Sequence, residues 1–304
     1  MTSASPTPAV QCVVLAGGLG TRMRPWTETV PKILLPVAGR PFVDHQLRLL
    51  AARGVTEVVL CIGYRGGMVR DVVGDGAAWG LTVRYVDEGP DLRGTAGALR
   101  LALDAGCLAP DFLVTYGDSY LPVAHRPVLR ALRAGAAGGD APEPVDAVMV
   151  VHRNRDAWDT SNARYRAGRV ELYDKGADAA TRARERLEHI DYGLAALRRD
   201  VVAREVPPGE VADLADLYHR LSVAGRLRGH EVARRFHEIG SPGGLADLEK
   251  LLLRREQRAR HVGHLRRAQR AGRAGRAGRA SRADRSGWSS QERPRVAGPP
   301  RTVQ

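Results

Sequence analysis

A chain of 304 residues, 43% of them apolar, can bury a substantial core, and its three widely spaced cysteines, Cys12, Cys61 and Cys107, exclude a disulfide framework and a CxxC metal knuckle. The formal charge of +13 would ordinarily suggest a nucleic acid or an anionic surface as partner, but 15 arginines against three acids lie in 254–304, which leaves 32 basic and 31 acidic residues in 1–253. The body is nearly neutral, no run approaches the roughly 18 apolar residues of a membrane span, and the N-terminus lacks a charged then apolar leader, so a cytoplasmic protein without a membrane partner is expected.

After a flexible 1–10, the run CVVLA following Gln11 reads as a strand ending in glycines, and PFVDHQLRLLAARG as a helix closed by Gly54. The pattern then recurs. Strands are expected at 57–64, 81–88, 111–118 and 146–154, with helices at GGMVRDVVGDG, 94–106 and 127–135 between them. Near-continuous apolar strands alternating with helices predict an α/β fold with a doubly wound, mostly parallel sheet covered on both faces. GAAGGDAPEPVD (135–146) is a surface loop.

Beyond Asn154, ARYRAGRVELYDK (163–175) reads as two strands about a turn at Ala167 and Gly168, and HIDYGLAAL (189–197) as another strand. A helix over 211–227, a strand at VARRFHEIG and a helix started by Ser241 and Pro242 follow. These strands predict a smaller second sheet closing over the strand ends of the first half. From Arg258 the triplet run RAGRAGRAGRASRAD has too little apolar surface to fold and is expected to be disordered. The expected organisation is thus 1–10, a folded domain over 11–257 with halves at 11–154 and 155–257, and a tail over 258–304.

The glycines Gly17, Gly18 and Gly20 follow a strand of a parallel sheet, where such folds bind ligands, and let amide groups approach phosphate oxygens closely. The spacing is neither GxGxxG nor GxxxxGK[ST], so dinucleotide and Walker-type sites lose support. Thr21, Arg22 and the Pro31-Lys32 step place two cations near these glycines. Lysine occurs only at Lys32, Lys175 and Lys250, so each is a choice against a strong arginine bias. Asp118 closes a strand at the same edge of the sheet, a position that alone would suit a turn or cap.

LAGGLGTRMRP followed by PKILLPVAGRPFVDHQL resembles the signature of the sugar-1-phosphate nucleotidylyltransferases, also called nucleotide-sugar pyrophosphorylases. The resemblance runs over residues 11–253. It implies nucleotide binding by Leu15, Ala16, Gly17, Gly18, Gly20 and Thr21, with GTAGAL supplying Gly94, Thr95 and Gly97 beside the nucleobase. It implies catalytic roles for Arg22, Lys32 and Asp118. Asp118 would also bind Mg²⁺, together with Glu238 of HEIGSPGGL, which resembles the family's D-[IV]-G-T-P motif with Glu for Asp. Asp174 and Lys175 of YDK match an acidic-Lys pair that grips the sugar phosphate, and Asp191, Tyr192 and Gly193 stand where the family has N-A-G, making Asp191 and Gly193 candidate sugar-binding residues.

The implied chemistry needs no general base, because a sugar phosphate oxygen is already ionised near neutral pH; alignment and charge neutralisation are what the site must supply. The nine scattered His are then surface or packing residues. WDTSNARY, HIDYGL and RFHEIGSPGGL look most like the branch holding D-glycero-D-manno-heptose 1-phosphate and mannose 1-phosphate guanylyltransferases. The expected partners are therefore an NTP, GTP first, and a sugar 1-phosphate. A thymidylyl- or uridylyltransferase and a phosphocholine cytidylyltransferase stay open, as do a regulatory homologue without activity, nucleic-acid binding through the tail and self-association.

Overall fold

Cys12, Val13 and Val14 of the first strand, β1 (Gln11–Leu15), have no solvent exposure, as a strand in the middle of a doubly covered sheet requires. The structure, a computed structural model, describes residues 9–134 and 145–261. The chain divides into two units, Met1–Lys250 and Leu251–Gln304; within the second, residues 251–261 are described and are helical. The rest of this section concerns the first unit.

After β1 come the short strands β2 (Pro36–Val37) and β3 (Arg40–Pro41), helix α1 (Phe42–Ala52), β4 (Glu57–Ile62), α2 (Gly66–Val73), β5 (Thr82–Asp87) and α3 (Gly94–Asp104). Then follow β6 (Asp111–Tyr116), the two-residue β7 (Ser119–Tyr120), α4 (Arg126–Ala134) and β8 (Ala147–Arg153). β9 (Ala163–Arg166) and β10 (Arg169–Tyr173) form a hairpin whose turn residues, Ala167 and Gly168, both have positive φ (47° and 84°), the twist that a tight two-residue connection demands. The chain continues through α5 (Ala179–Glu185), β11 (His189–Arg198), α6 (Arg199–Glu205), α7 (Leu214–Val223), β12 (Leu227–Glu231) and β13 (His237–Glu238).

Nine strands make one sheet in the order β5-β4-β1-β6-β11-β8-β12-β10-β9. The first four are mutually parallel, as expected from the alternation of strand and helix. β11 enters antiparallel between β6 and β8, while β12 runs parallel to β8. The strands of the second half therefore extend the first sheet instead of forming a separate one. The reason lies in β11, where Leu194, Ala195, Ala196 and Leu197 are all buried, so only a central position satisfies it. One core joins the halves: Leu99 of α3, Val201 and Val202 of α6 and Leu217 and Leu221 of α7 pack with Phe112, Met149 and Leu197. Each such side chain contributes about 1.5–3 kcal/mol of burial.

Other expectations shift. The strand expected at VARRFHEIG is reduced to β13, with β12 lying before it, and the helix expected over 211–227 contracts to α7. The short helices α5 and α6, seven residues each, are too brief to show helical periodicity in the sequence. A last helix starts at 242, where Ser241 Oγ accepts the Gly244 amide at 3.1 Å, and continues to the end of the first unit at 250. Most of the loop expected at 135–146, most of the N-terminal 1–10 and the tail from 262 lie outside the described residues. Among the described residues no helix is long and apolar enough to cross a membrane.

Candidate active site

The glycine loop leaves β1 at the carboxyl end of the parallel strands, held on both sides by the sheet. Ala16 N donates to Cys61 O and Gly117 N to Leu15 O, each at 2.8 Å. Gly17 lets the Glu88 carboxylate approach closely, since a Cβ there would make that side chain move aside. Gly20 takes a left-handed conformation (φ 63°), and Thr27 Oγ1 donates to its carbonyl at 2.9 Å, fixing the turn that carries Arg22. A cavity of about 260 Å³ opens beside this loop, walled by Leu15, Ala16, Gly17, Gly18, Lys32, Glu88, Gly94, Thr95, Tyr116, Asp118 and Asp213 among others. Gly20 and Thr21 shape the turn and are not among its walls.

Asp118 lies one residue beyond β6, after Gly117, and stands at the same strand-end edge. The short ladder of β7 with β13 pairs Ser119 with Glu238, and Ile239 N donates to Asp118 O at 2.9 Å, so main-chain bonds bring the second half's carboxylate beside Asp118. Asp118 Oδ2 accepts Lys32 Nζ at 2.6 Å, with the side chains 15% and 21% exposed, and Asp118 Oδ1 accepts Ser119 Oγ at 3.3 Å. Burial pushes the Glu238 carboxyl above its ordinary range; the carboxylates of Asp118 and Asp159 add to this, and Arg22 and Lys32 oppose it.

A second cavity, of about 250 Å³, is lined by Arg22, Asp159, Asn162, Lys175, Asp191, Tyr192, Gly193 and Glu238. It shares Tyr116 and Asp118 with the first. Asn162 ties its walls together, its Oδ1 accepting from Asp191 N at 2.9 Å and its carbonyl from Asp174 N at 2.8 Å. A register shift in β11 between Asp191 and Ala195, with Gly193 at φ 88°, takes this stretch out of regular pairing beside the cavity. Asp174 is the exception: its carboxylate closes its own turn by accepting Gly176 N at 2.9 Å, and only Lys175 of the expected pair lines the cavity.

Burial raises the Asp191 carboxyl to about 6 from the ordinary 3.8, against the opposing effects of the Gly193 amide and Lys175. A raised carboxyl pKa favours the folded state while the group is protonated, so this contribution is lost as pH climbs from about 4 to about 6. Asp191→Asn is therefore expected to raise the melting temperature at pH 7.5 by a few °C and to give a clearly smaller gain at pH 4.5. Equal shifts in thermal melts at the two pH values would refute this.

The GTAG segment serves two purposes. Gly94 and Thr95 line the first cavity, while Gly97 N and Ala96 N donate to Ala212 O at 3.0 and 2.8 Å, which turns Gly97 onto the 210–213 segment and off the cavity wall. Thr95 Oγ1 and N both donate to Asp213 Oδ1, at 3.1 and 3.2 Å. Glu88, Asp159, Asn162 and Asp213 were not foreseen. Glu88 could have been, because it follows β5 at a strand end as Asp118 follows β6; loop residues 159 and 213 carry no such signal. Among the described residues no group of three or more His, Cys, Asp or Glu side chains is placed to hold a metal ion by itself.

Residues 11–142 match the family described as Nucleotidyl transferase. Mannose-1-phosphate guanylyltransferase of Mycobacterium tuberculosis is 42% identical over 112 residues, 37% of this chain and 30% of that protein. N-acetylmuramate alpha-1-phosphate uridylyltransferase of Neisseria meningitidis is 40% identical over 109 residues, 36% of this chain and 47% of that one. The chain thus spans about a third to a half of these curated relatives. Among solved structures, a putative glucose-1-phosphate thymidylyltransferase from Bacillus anthracis superposes with a TM-score of 0.66 at 21% identity, over 80% of this chain and 95% of that one. HddC from Yersinia pseudotuberculosis complexed with GMP-PN gives 0.63 at 20% identity, over 80% and 99%. At these identities the two structures bear on the fold alone.

Proposed function

We propose, from the match of residues 11–142 to the nucleotidyl transferase family, that this chain condenses GTP with a sugar 1-phosphate of the mannose or heptose type, giving a nucleotide sugar and pyrophosphate. The observation that carries this reading is the pair of cavities meeting at Tyr116 and Asp118, one beside the glycine loop and the other beside Lys175. Two substrates held in adjoining cavities with one shared wall suit an in-line transfer. The sugar phosphate oxygen forms a bond to the α-phosphorus as the bond from that phosphorus to the bridging oxygen breaks, and pyrophosphate carries away the electron pair. Gly17 and Gly18 cradle phosphate oxygens, Arg22 and Lys32 offset the charge that gathers as pyrophosphate leaves, and Lys175 holds the sugar phosphate.

Asp118 on the shared wall and Glu238 beside it in the second cavity are the donors that fit Mg²⁺, which typically takes one or two carboxylates together with substrate phosphates. When bound there, the ion would neutralise phosphate charge. The geometry supports this assignment, because the β7–β13 ladder brings Glu238 beside Asp118 and two carboxylates brought together invite a cation.

Glu88 supports guanine. Its carboxylate is partly buried at the wall of the first cavity, anchored by accepting Arg93 N at 2.9 Å. Guanine offers adjacent N1–H and N2–H donors to such an acceptor, whereas uracil and thymine present a single donor flanked by carbonyl oxygens that a carboxylate repels. Glu88→Gln is expected to lower kcat/KM for GTP about 10- to 100-fold and to narrow its preference over UTP, the range that follows from one mispaired polar contact. An unchanged nucleotide preference would remove Glu88 from base reading. The function as a whole is tested by pairing four NTPs with several sugar 1-phosphates and following pyrophosphate release; GTP with mannose or heptose 1-phosphate should be fastest, and no release from any pair would overturn it.

A further inference from the structure

Segment 154–161 is an internally braced loop on the wall of the second cavity. Asn154 and Ser161, 3% and 0% exposed, form its frame. Asn154 Oδ1 accepts Trp158 N at 3.1 Å and its Nδ2 donates to Asp159 O at 2.5 Å; Ser161 N donates to Asp156 Oδ1 at 2.7 Å and Ser161 Oγ accepts Asp156 N at 3.0 Å. On its outer side the Arg235 guanidinium stacks 3.7 Å from the centre of the Trp158 ring and pairs with Asp247 at 3.3 Å. The loop delivers Asp159 to the cavity wall, with Asp159 Oδ1 anchored by the Thr160 amide at 2.7 Å.

The cavity's charges are unequal in their duties. Arg22 and Lys175 are its cations, and both are committed to phosphate in the function proposed above. Asp118 and Glu238 are committed to the divalent ion. Asp159 and Asp191 remain for the body of the sugar, and a carboxylate only accepts hydrogen bonds. We propose that Asp159, together with Asp191, makes this cavity selective for sugar 1-phosphates whose substituents are neutral hydrogen-bond donors, and that it rejects sugars bearing a carboxylate. The inference rests on the sugar 1-phosphate reading of the site. Like charges held several ångströms apart in a partly solvated cavity disfavour binding by about tenfold for each carboxylate.

The test reads binding without turnover. Calorimetric titrations of the full chain, with Mg²⁺ and with or without α,β-methylene-GTP, would use mannose and glucose 1-phosphates as neutral ligands and glucuronic acid and N-acetylmuramic acid 1-phosphates as anionic ones. The better neutral ligand is expected to bind about 100-fold more tightly than either anionic one. Asp159→Asn, which keeps an oxygen for the Thr160 amide, should close that gap about tenfold by gaining affinity for the anionic sugars. Equal binding of both classes, an unchanged gap in Asp159→Asn, or no binding of any sugar 1-phosphate would overturn the inference. Selective binding without pyrophosphate release from any NTP would support it while overturning the transferase reading.

Discussion

Asp118→Asn is expected to slow pyrophosphate release about 10³-fold, the scale of losing one preorganised charge at a reacting phosphate. The substitution preserves shape. The main-chain bond from Ile239 N to residue 118 is untouched, so Glu238 keeps its place, but the charge that anchors Lys32 at 2.6 Å is gone. Lys32 is 21% exposed, and water can solvate an ammonium released there, so the stability cost should stay near 1 kcal/mol. For a domain of this size that corresponds to a melting temperature lowered by about 2–4 °C. A pyrophosphate assay beside a thermal melt separates the two effects. Turnover within tenfold of wild type would remove Asp118 from the reacting centre.

Gly94→Ala should do the reverse, damaging the fold before the chemistry. Gly94 sits at φ 73°, and a Cβ there would lie 2.6 Å from Ala212 O and 3.2 Å from Asp213 Oδ1. Backbone cannot step aside as a side-chain end can. The left-handed conformation costs an alanine about 1–2 kcal/mol, and the collision adds to it, so a loss of about 2–4 kcal/mol is expected. A melting temperature about 5–15 °C below wild type would be the readout. Because the same shift moves Thr95 and Asp213, KM for the nucleotide should rise as well. A melting curve indistinguishable from wild type would mean that segment 210–213 is not held as described.

Much of the first cavity was legible because a strand-end position can be read from one stretch of chain. The apolar run before Gly17 and the strand before Asp118 each announce their own carboxyl ends. The second cavity was less legible because its walls are assembled across distance. Asn162 joins segments that meet only after β9, β10 and β11 have paired, and Glu238 reaches Asp118 through a ladder of two residue pairs, too short to leave a pattern. The direction of β11 was equally hidden, since alternation and burial report which way side chains face and not which way the strand runs. Asp174 and Lys175 illustrate the finest limit. Adjacent residues share a motif, yet one closes a turn and the other lines the cavity.

The seam at β11 also bears on modularity. This strand, late in the chain, lies between β6 of the first half and β8, so a cut between residues 154 and 155 would leave β6 and β8 without the strand that separates them. Two gene fragments divided there would each expose unpaired apolar strand edges, the condition under which β-sheet proteins aggregate. The two halves are thus not interchangeable cassettes. The second cavity has to be reshaped by replacing loops such as 154–161 upon an indivisible sheet, and not by exchanging one half for another.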